Sequence, residues 1–116
     1  MINRYHKNQL MAQIVHYGSL IETAGQVAQD LEQDIQGQTQ QILAQIDSLL
    51  AEVGASKHHL TRIQMWMKDI GEFEQMNQVY AKWLDNCDQP VRACVESRLA
   101  DPRYLIEIQA FAYLPD

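Results

Sequence analysis

One apolar stripe constrains this chain more than any other feature: Ile35, Ile42, Leu43, Ile46, Leu49, Leu50 and Val53 recur at spacings of three, four and seven residues. That period places them along one side of a helix, and Gly54 supplies its stop. Asp30 and Asp34 stand ahead of it as alternative N-caps. The remaining side carries Gln36, Gln38, Gln40, Gln41 and Gln45, and because Ile and Leu interleave with them the run reads as a solvated helix face rather than a low-complexity tract. A helix with one broad apolar side must lie on something.

The flanking sequence offers strands. Gln9 to Val15 reads as a first strand, His16-Tyr17-Gly18-Ser19 as a turn and Leu20 to Gly25 as a second strand, together a hairpin. Thr61 to Lys68 has period two, with Ile63, Met65 and Met67 on one face and Trp66 on the other. Asp69-Ile70-Gly71-Glu72 reads as a capping box ahead of a second helix whose apolar side is Phe73, Met76, Tyr80, Trp83 and Leu84. Two further strands, Pro90 to Ser97 and Leu105 to Phe111, flank a turn built on Asp101-Pro102-Arg103. In the first, Arg92, Cys94 and Glu96 share a face opposite Val91, Ala93 and Val95; in the second, Glu107 lies opposite Ile106 and Ile108. Each apolar strand thus holds a charge in its interior, Arg92 in one and Glu107 in the other, and these two can be expected to converge from neighbouring strands on a shared hollow.

The order β-β-α-β-α-β-β defines an α+β fold, with two helices on one face of a mixed sheet and a single domain spanning residues 1–116. Two helices cover one sheet face only. The other face is also apolar in part, and the cheapest cover is another copy of the chain, so a symmetric oligomer with sites between subunits is expected.

Composition excludes several classes. A formal net charge of -6 without any basic run disfavours nucleic acid as a partner, since such binding rests on clustered Lys and Arg. No apolar run reaches the roughly 18 residues of a membrane span and the opening residues lack the apolar core of a signal peptide, so neither a membrane partner nor export is expected. Cys87 and Cys94 are the only cysteines, which fits a reducing cytoplasmic setting. His58-His59 is no metal site by spacing, because adjacent residues on a strand or turn point apart, and no phosphate-loop motif is present.

Several segments together resemble the YjgF/RidA family of reactive-intermediate deaminases. Gly18 to Gln26 is similar to the family's G-x-x-x-x-x-S-G-Q segment. Lys68-Asp69 with Phe73, Met76-Asn77 and Tyr80 is similar to its K-D-x-x-x-F-x-x-x-N-x-x-Y run. Most specific is Pro90-Val91-Arg92-Ala93-Cys94-Val95-Glu96, which resembles P-A-R-[ST]-x-V-x, with Glu107 following Arg92 by 15 residues as in the family. The chain departs where the family carries a Tyr in the first strand, here Met11, and a Ser before Gly-Gln, here Ala24; the loop ahead of the first helix is also short, as in a short-loop subgroup.

The resemblance implies a homotrimer that hydrolyses enamines and imines of small carboxylic acids in clefts between subunits, with no cofactor and no metal. Arg92 would grip the substrate carboxylate and Glu107 would aim or deprotonate the attacking water. Cys94, Asn77, Ala93, Met11 and Ala24 would complete the binding surface. Taken alone, the residues leave open a cross-strand ion pair between Arg92 and Glu107 with no substrate at all. Two rival functions accompany the deaminase reading: a module that binds a small carboxylate without turnover, and the ribonuclease activity sometimes attached to the family, which the acidic balance and the lack of a His-based acid/base pair disfavour.

Overall fold

In the computed structural model, which describes residues 1–115, the apolar stripe becomes helix α1 (Ile35–Glu52). Asp34 caps it, its Oδ1 accepting from the Gly37 amide at 2.9 Å, whereas Asp30 closes a local turn by accepting from Glu32. At the other end Gly54 takes φ +83°, and the Ala55 amide donates back to the Leu50 carbonyl at 2.9 Å, which satisfies a carbonyl the helix leaves over. The glutamine face is not wholly solvated. Gln38 is fully buried, donating to the carbonyls of Gln33 and Arg103 and accepting from the Leu105 amide, so it fastens the turn before the last strand to α1.

Six strands pair into one sheet: β1 (Ile2–Tyr5), β2 (Ile14–Tyr17), β3 (Leu20–Thr23), β4 (Leu60–Met67), β5 (Val91–Glu96) and β6 (Ile106–Tyr113). Their spatial order is β1-β2-β3-β6-β4-β5. All neighbours are antiparallel except β4 and β5, and that parallel pair needs a crossover, which helix α2 (Phe73–Trp83) provides. β3 and β4 both run antiparallel to β6, so they are parallel to each other and α1 is the crossover between them.

The observed order adds one strand to the expected one, because Ile2–Tyr5 forms an edge strand against β2. The hairpin is present, but its first strand begins at Ile14 rather than Gln9; residues 6–13 form a loop in which Asn8 Oδ1 accepts from the amides of Leu10 and Met11. His16 and Tyr17 belong to β2, and the turn is Gly18-Ser19, with Gly18 at φ +56°. Asp69 caps a short 3-10 turn over Ile70–Glu72, accepting from Gly71, and α2 continues from that turn without a side-chain cap of its own.

Both helices lie on one sheet face. Ile14, Ile21, Ile63, Met65, Met67, Ile106 and Ile108 are buried there, in one cluster with Ile42, Ile46 and Leu50 of α1 and Met76, Tyr80 and Leu84 of α2. The opposite face carries Arg62, Gln64 and Trp66 of β4 beside Glu107, Gln109 and Phe111 of β6, and at its margins Val91, Val95 and Tyr113 are exposed. No helix in the described residues is long and apolar enough to cross a membrane.

Candidate active site

β5 is an edge strand, paired only with β4. Register decides where its side chains go: Arg92 stands opposite Ile63 and Cys94 opposite Met65, so both face the helix side. There α2 receives the guanidinium. Asn77 Oδ1 accepts from Arg92 Nη1 at 2.7 Å, and the guanidinium carbon lies 5.3 Å from the Phe73 ring centre and 5.0 Å from that of Tyr80. Phe73, Asn77 and Tyr80, spaced by four and three residues, share one side of α2. The sequence reading gave a role to Asn77 alone; the same spacing marks the two aromatics as the platform on which the guanidinium rests. A hollow of about 350 Å³ opens beside it, walled by Asn77, Tyr80, Leu84, Pro90 and Arg92.

Glu107 lies elsewhere. It stands opposite Trp66 on β4, so its side chain leaves the sheet on the uncovered face. Two expectations are therefore corrected. β5 and β6 are not neighbours, because β4 runs between them, and within one chain Arg92 and Glu107 do not converge on a shared hollow. The cross-strand ion pair between them is absent for the same reason. Among the described residues no carboxylate forms an ion pair with Arg92; Arg103 pairs with Asp101, and His6 is hydrogen-bonded to Glu52 at 2.7 Å.

Glu107 is cradled by Gly25, to which the sequence analysis assigns no role beyond ending the second strand. A Cβ at Gly25 would fall 2.0 Å from Glu107 Oε2 and 2.8 Å from its carboxyl carbon, so the carboxylate lies directly on the glycine backbone. Ala24, one residue earlier, anchors this segment by donating its amide to the Gln13 carbonyl at 2.9 Å. Gly25 also forms part of the wall of a second hollow, of about 530 Å³, to which Met11 contributes. The site residues thus fall into two groups: Arg92, Cys94 and Asn77 beside α2, and Glu107, Ala24 and Met11 around Gly25. Ala93 belongs to neither by side chain, since it points to the uncovered face with Gln64.

Burial sets the electrostatics of both groups. It raises the Glu107 carboxyl above the ordinary carboxylate range, because a partly dehydrated site disfavours the charged form. The Cys94 thiol and the Tyr80 phenol are raised by burial too, with the nearby Arg92 charge pulling each the other way. Cys94 therefore stays a protonated thiol facing the helix side, and Cys87 is a free thiol as well. No cluster of three metal-binding side chains occurs among the described residues.

The two-helix α+β sheet thus presents a positioned guanidinium on one side and a partly buried carboxylate on the other. Known proteins agree with this architecture. The profile of the family described as Endoribonuclease L-PSP matches residues 2–114. A RutC family protein of Haemophilus influenzae is 34% identical over 112 residues, covering 96% of this chain and 97% of its own. A YjgF-family crystal structure from Neisseria meningitidis superposes with a TM-score of 0.95 at 34% identity, covering 100% of this chain and 97% of that one. A crystal structure of an uncharacterized protein from Pseudomonas aeruginosa gives 0.95 at 32% identity over 98% and 99% of the two chains. The chain belongs to the endoribonuclease L-PSP family, the group that includes the RutC and YjgF proteins.

Proposed function

We propose that the protein hydrolyses reactive 2-imino and enamine acids to 2-oxo acids and ammonia, in clefts formed where the Arg92 side of one subunit meets the Glu107 side of another in a homotrimer. The observation that carries this reading is the state of Arg92. Its plane rests on Phe73 and Tyr80, one edge is held by Asn77, and among the described residues no acidic side chain pairs with it. A guanidinium so placed is pre-organised for a small carboxylate, which it can meet with two parallel donors.

Glu107 supplies the second element. As the water oxygen bonds to the imine carbon, the C=N π pair moves to nitrogen and Glu107 takes a proton from the water. Attack on the protonated imine leaves a neutral carbinolamine, which collapses as the proton held by Glu107 goes to nitrogen, the hydroxyl O–H pair forms C=O with its proton passing back to Glu107, and the C–N bond breaks with its electrons on nitrogen to release ammonia. An upward-shifted carboxyl suits both transfers, because it holds the borrowed proton better than an exposed one. The substrate carbon is already electrophilic, so orientation supplies much of the rate and nothing is asked of a cofactor.

Met11 and Ala24 favour one alternative, a cleft that holds a small carboxylate without turnover, since neither side chain can donate the proton that a Tyr or Ser would. One assay separates these outcomes. The purified protein is expected to speed ammonia release from imino acids made in situ by an amino-acid oxidase, and Arg92→Ala to abolish the effect. If wild type and variant both leave the spontaneous rate unchanged, the enzyme reading fails; carboxylate-dependent thermal stabilisation lost in Arg92→Ala would then select the binding module. Cleavage of RNA by the wild type and not by Arg92→Ala would redirect the reading to the activity in the family's name.

A further inference from the structure

The strand pairing beside Glu107 is interrupted. β3 and β6 stay in register as far as Glu22 opposite Phe111, and pairing resumes where Gln26 stands opposite Ile108, with amide-to-carbonyl bonds in both directions at 2.8 and 3.0 Å. Between those two pairs stand Thr23, Ala24 and Gly25 on one side but only Gln109 and Ala110 on the other. One residue is extra, so the chain bulges immediately next to Glu107.

A bulge takes backbone groups out of the ladder, and each buried one is costly unless another group replaces its partner. Here two side chains do so. Thr23, only 2% exposed, accepts at its hydroxyl from the Ala110 amide at 3.0 Å, and its carbonyl accepts from Gln109 Nε2 at 3.0 Å. Ala24 turns its amide the other way, to the Gln13 carbonyl. Gly25 comes next, and the Glu107 carboxylate lies against it so closely that a Cβ there would fall 2.0 Å from Oε2. The bonds to Thr23 thus fix where Gly25 sits, and Gly25 fixes the carboxylate.

We infer that Thr23 and Gln109 are positioning residues for Glu107: by making the bonds the ladder omits, they hold the bulge at the spacing that lets Gly25 carry the carboxylate. Neither acts on the reacting atoms. The inference rests on the deaminase reading for what the positioned carboxylate does, while the bulge and its two bonds stand apart from it. Val in place of Thr23 keeps the shape but removes the acceptor of the Ala110 amide. That amide then finds a partner only if the bulge rearranges, which moves Gly25 along β6 and away from Glu107.

Thr23→Val, Thr23→Ser and Gln109→Met are compared with wild type by oxidase-coupled ammonia release and by NMR titration of the Glu107 carboxyl carbon, which needs no turnover. Thr23→Val and Gln109→Met are expected to lower kcat by about tenfold or more with KM little changed, since Arg92 is untouched and a displacement of about 1 Å can cost on the order of a hundredfold. Thr23→Ser keeps the hydroxyl and should keep kcat. In the titration the two disruptive variants should titrate at lower pH than wild type, because a carboxyl freed from its cradle is better hydrated, and Thr23→Ser should follow wild type. The charged groups that the flanking strands present on that face, Glu22 on β3 and Arg62 on β4, both stand level with Phe111, and Lys68 beyond the end of β4 gives its ammonium to the Pro102 carbonyl; none is altered in these variants. Wild-type kcat in a folded Thr23→Val or Gln109→Met overturns the inference, as does a loss in Thr23→Ser equal to that in Thr23→Val. Should Thr23→Val not fold, Gln109→Met, changed at a half-buried position, decides. A wild type without turnover refutes the deaminase, and the titration then decides the positioning alone, an unmoved midpoint in the disruptive variants overturning it.

Discussion

Replacing Gly25 by Ala tests the carboxylate cradle with little disturbance elsewhere. The added Cβ would sit 2.0 Å from Glu107 Oε2, 2.8 Å from Cδ and 3.1 Å from Cγ. Ordinary carbon contacts begin near about 3.5 Å, so the carboxylate must retreat by more than about 1 Å. The atoms in the way are the end of a flexible side chain with open space beyond the uncovered face, and Gly25 is not held at positive φ, so the backbone accepts Ala. The stability change should therefore stay within about 1 kcal/mol. Activity should respond far more, because a displacement of about 1 Å of a group that must aim water costs on the order of a hundredfold. That factor corresponds to about 2.7 kcal/mol in the barrier. The loss should fall on kcat, with KM little changed, since Arg92 is untouched. Glu107 pushed toward solvent also loses the burial that raises it, so the acid limb of the pH profile should move to lower pH. The assay is oxidase-coupled ammonia release across pH, beside a thermal melt. A Gly25→Ala protein that melts like wild type and keeps kcat within about twofold would show that Glu107 does no positional work in the reaction.

Other perturbations follow from the same geometry. Glu107→Gln should abolish turnover yet melt higher than wild type near neutral pH. The sign follows from the shift: a carboxyl raised on folding contributes stability that is full below its unfolded pKa and is lost as pH rises through its folded value. The advantage of the Gln variant should accordingly shrink as pH falls through the raised carboxyl, and an unchanged gap down to pH 4 would remove burial as the cause. Arg92→Lys should lower kcat/KM by roughly tenfold to a hundredfold despite keeping the charge, because an ammonium cannot donate a parallel pair while resting flat on Phe73 and Tyr80; wild-type kinetics in this variant would mean that charge alone suffices. Asp34→Ala removes the α1 cap and should cost about 1 kcal/mol, a fall of roughly 4 °C in Tm for a domain of this size, with specific activity unchanged. Trp66→Glu places a charge in the uncovered face and should yield a monomer by light scattering that releases ammonia no faster than the spontaneous rate; an active monomer would refute the shared cleft.

The two helices and the strands were legible because each announces a period. Ile42, Ile46 and Leu50 repeat at four residues and all are buried; Ile63, Met65 and Met67 repeat at two and all are buried. What the period could not give was what each element packs against. Gln38 looked like its solvent-facing neighbours, yet the turn before β6 closes over it, and only tertiary contact could reveal that. β1 has four residues with a burial pattern that never reaches the core, so no alternation marks it. β5 misled in a more instructive way. Its apolar residues Val91 and Val95 suggest an inner face, but they are 69% and 45% exposed, and it is polar Arg92 that packs against α2. Alternation tells which side chains of a strand share a face; which face of the sheet that is depends on register with β4, and register is written in no local residue.

The same register bears directly on the proposed chemistry. Had β5 and β6 been neighbours with Arg92 and Glu107 on one face, the two would have met as an ion pair, neutralising the fork and lowering the carboxyl toward the ordinary range. Interposing β4, and sending the two side chains to opposite faces, keeps the guanidinium apart from Glu107 and leaves burial as the force acting on that carboxyl. On the proposed reading each chain carries both halves of a site it cannot close. A second copy could bring a fork from one chain to a carboxylate from another with room between them for a small acid and one water, and the substrate's own carboxylate would then satisfy the Arg92 charge without capturing the base. On that reading, separation within the chain keeps both groups available, and it ties the proposed chemistry to assembly rather than to any single hollow of the monomer.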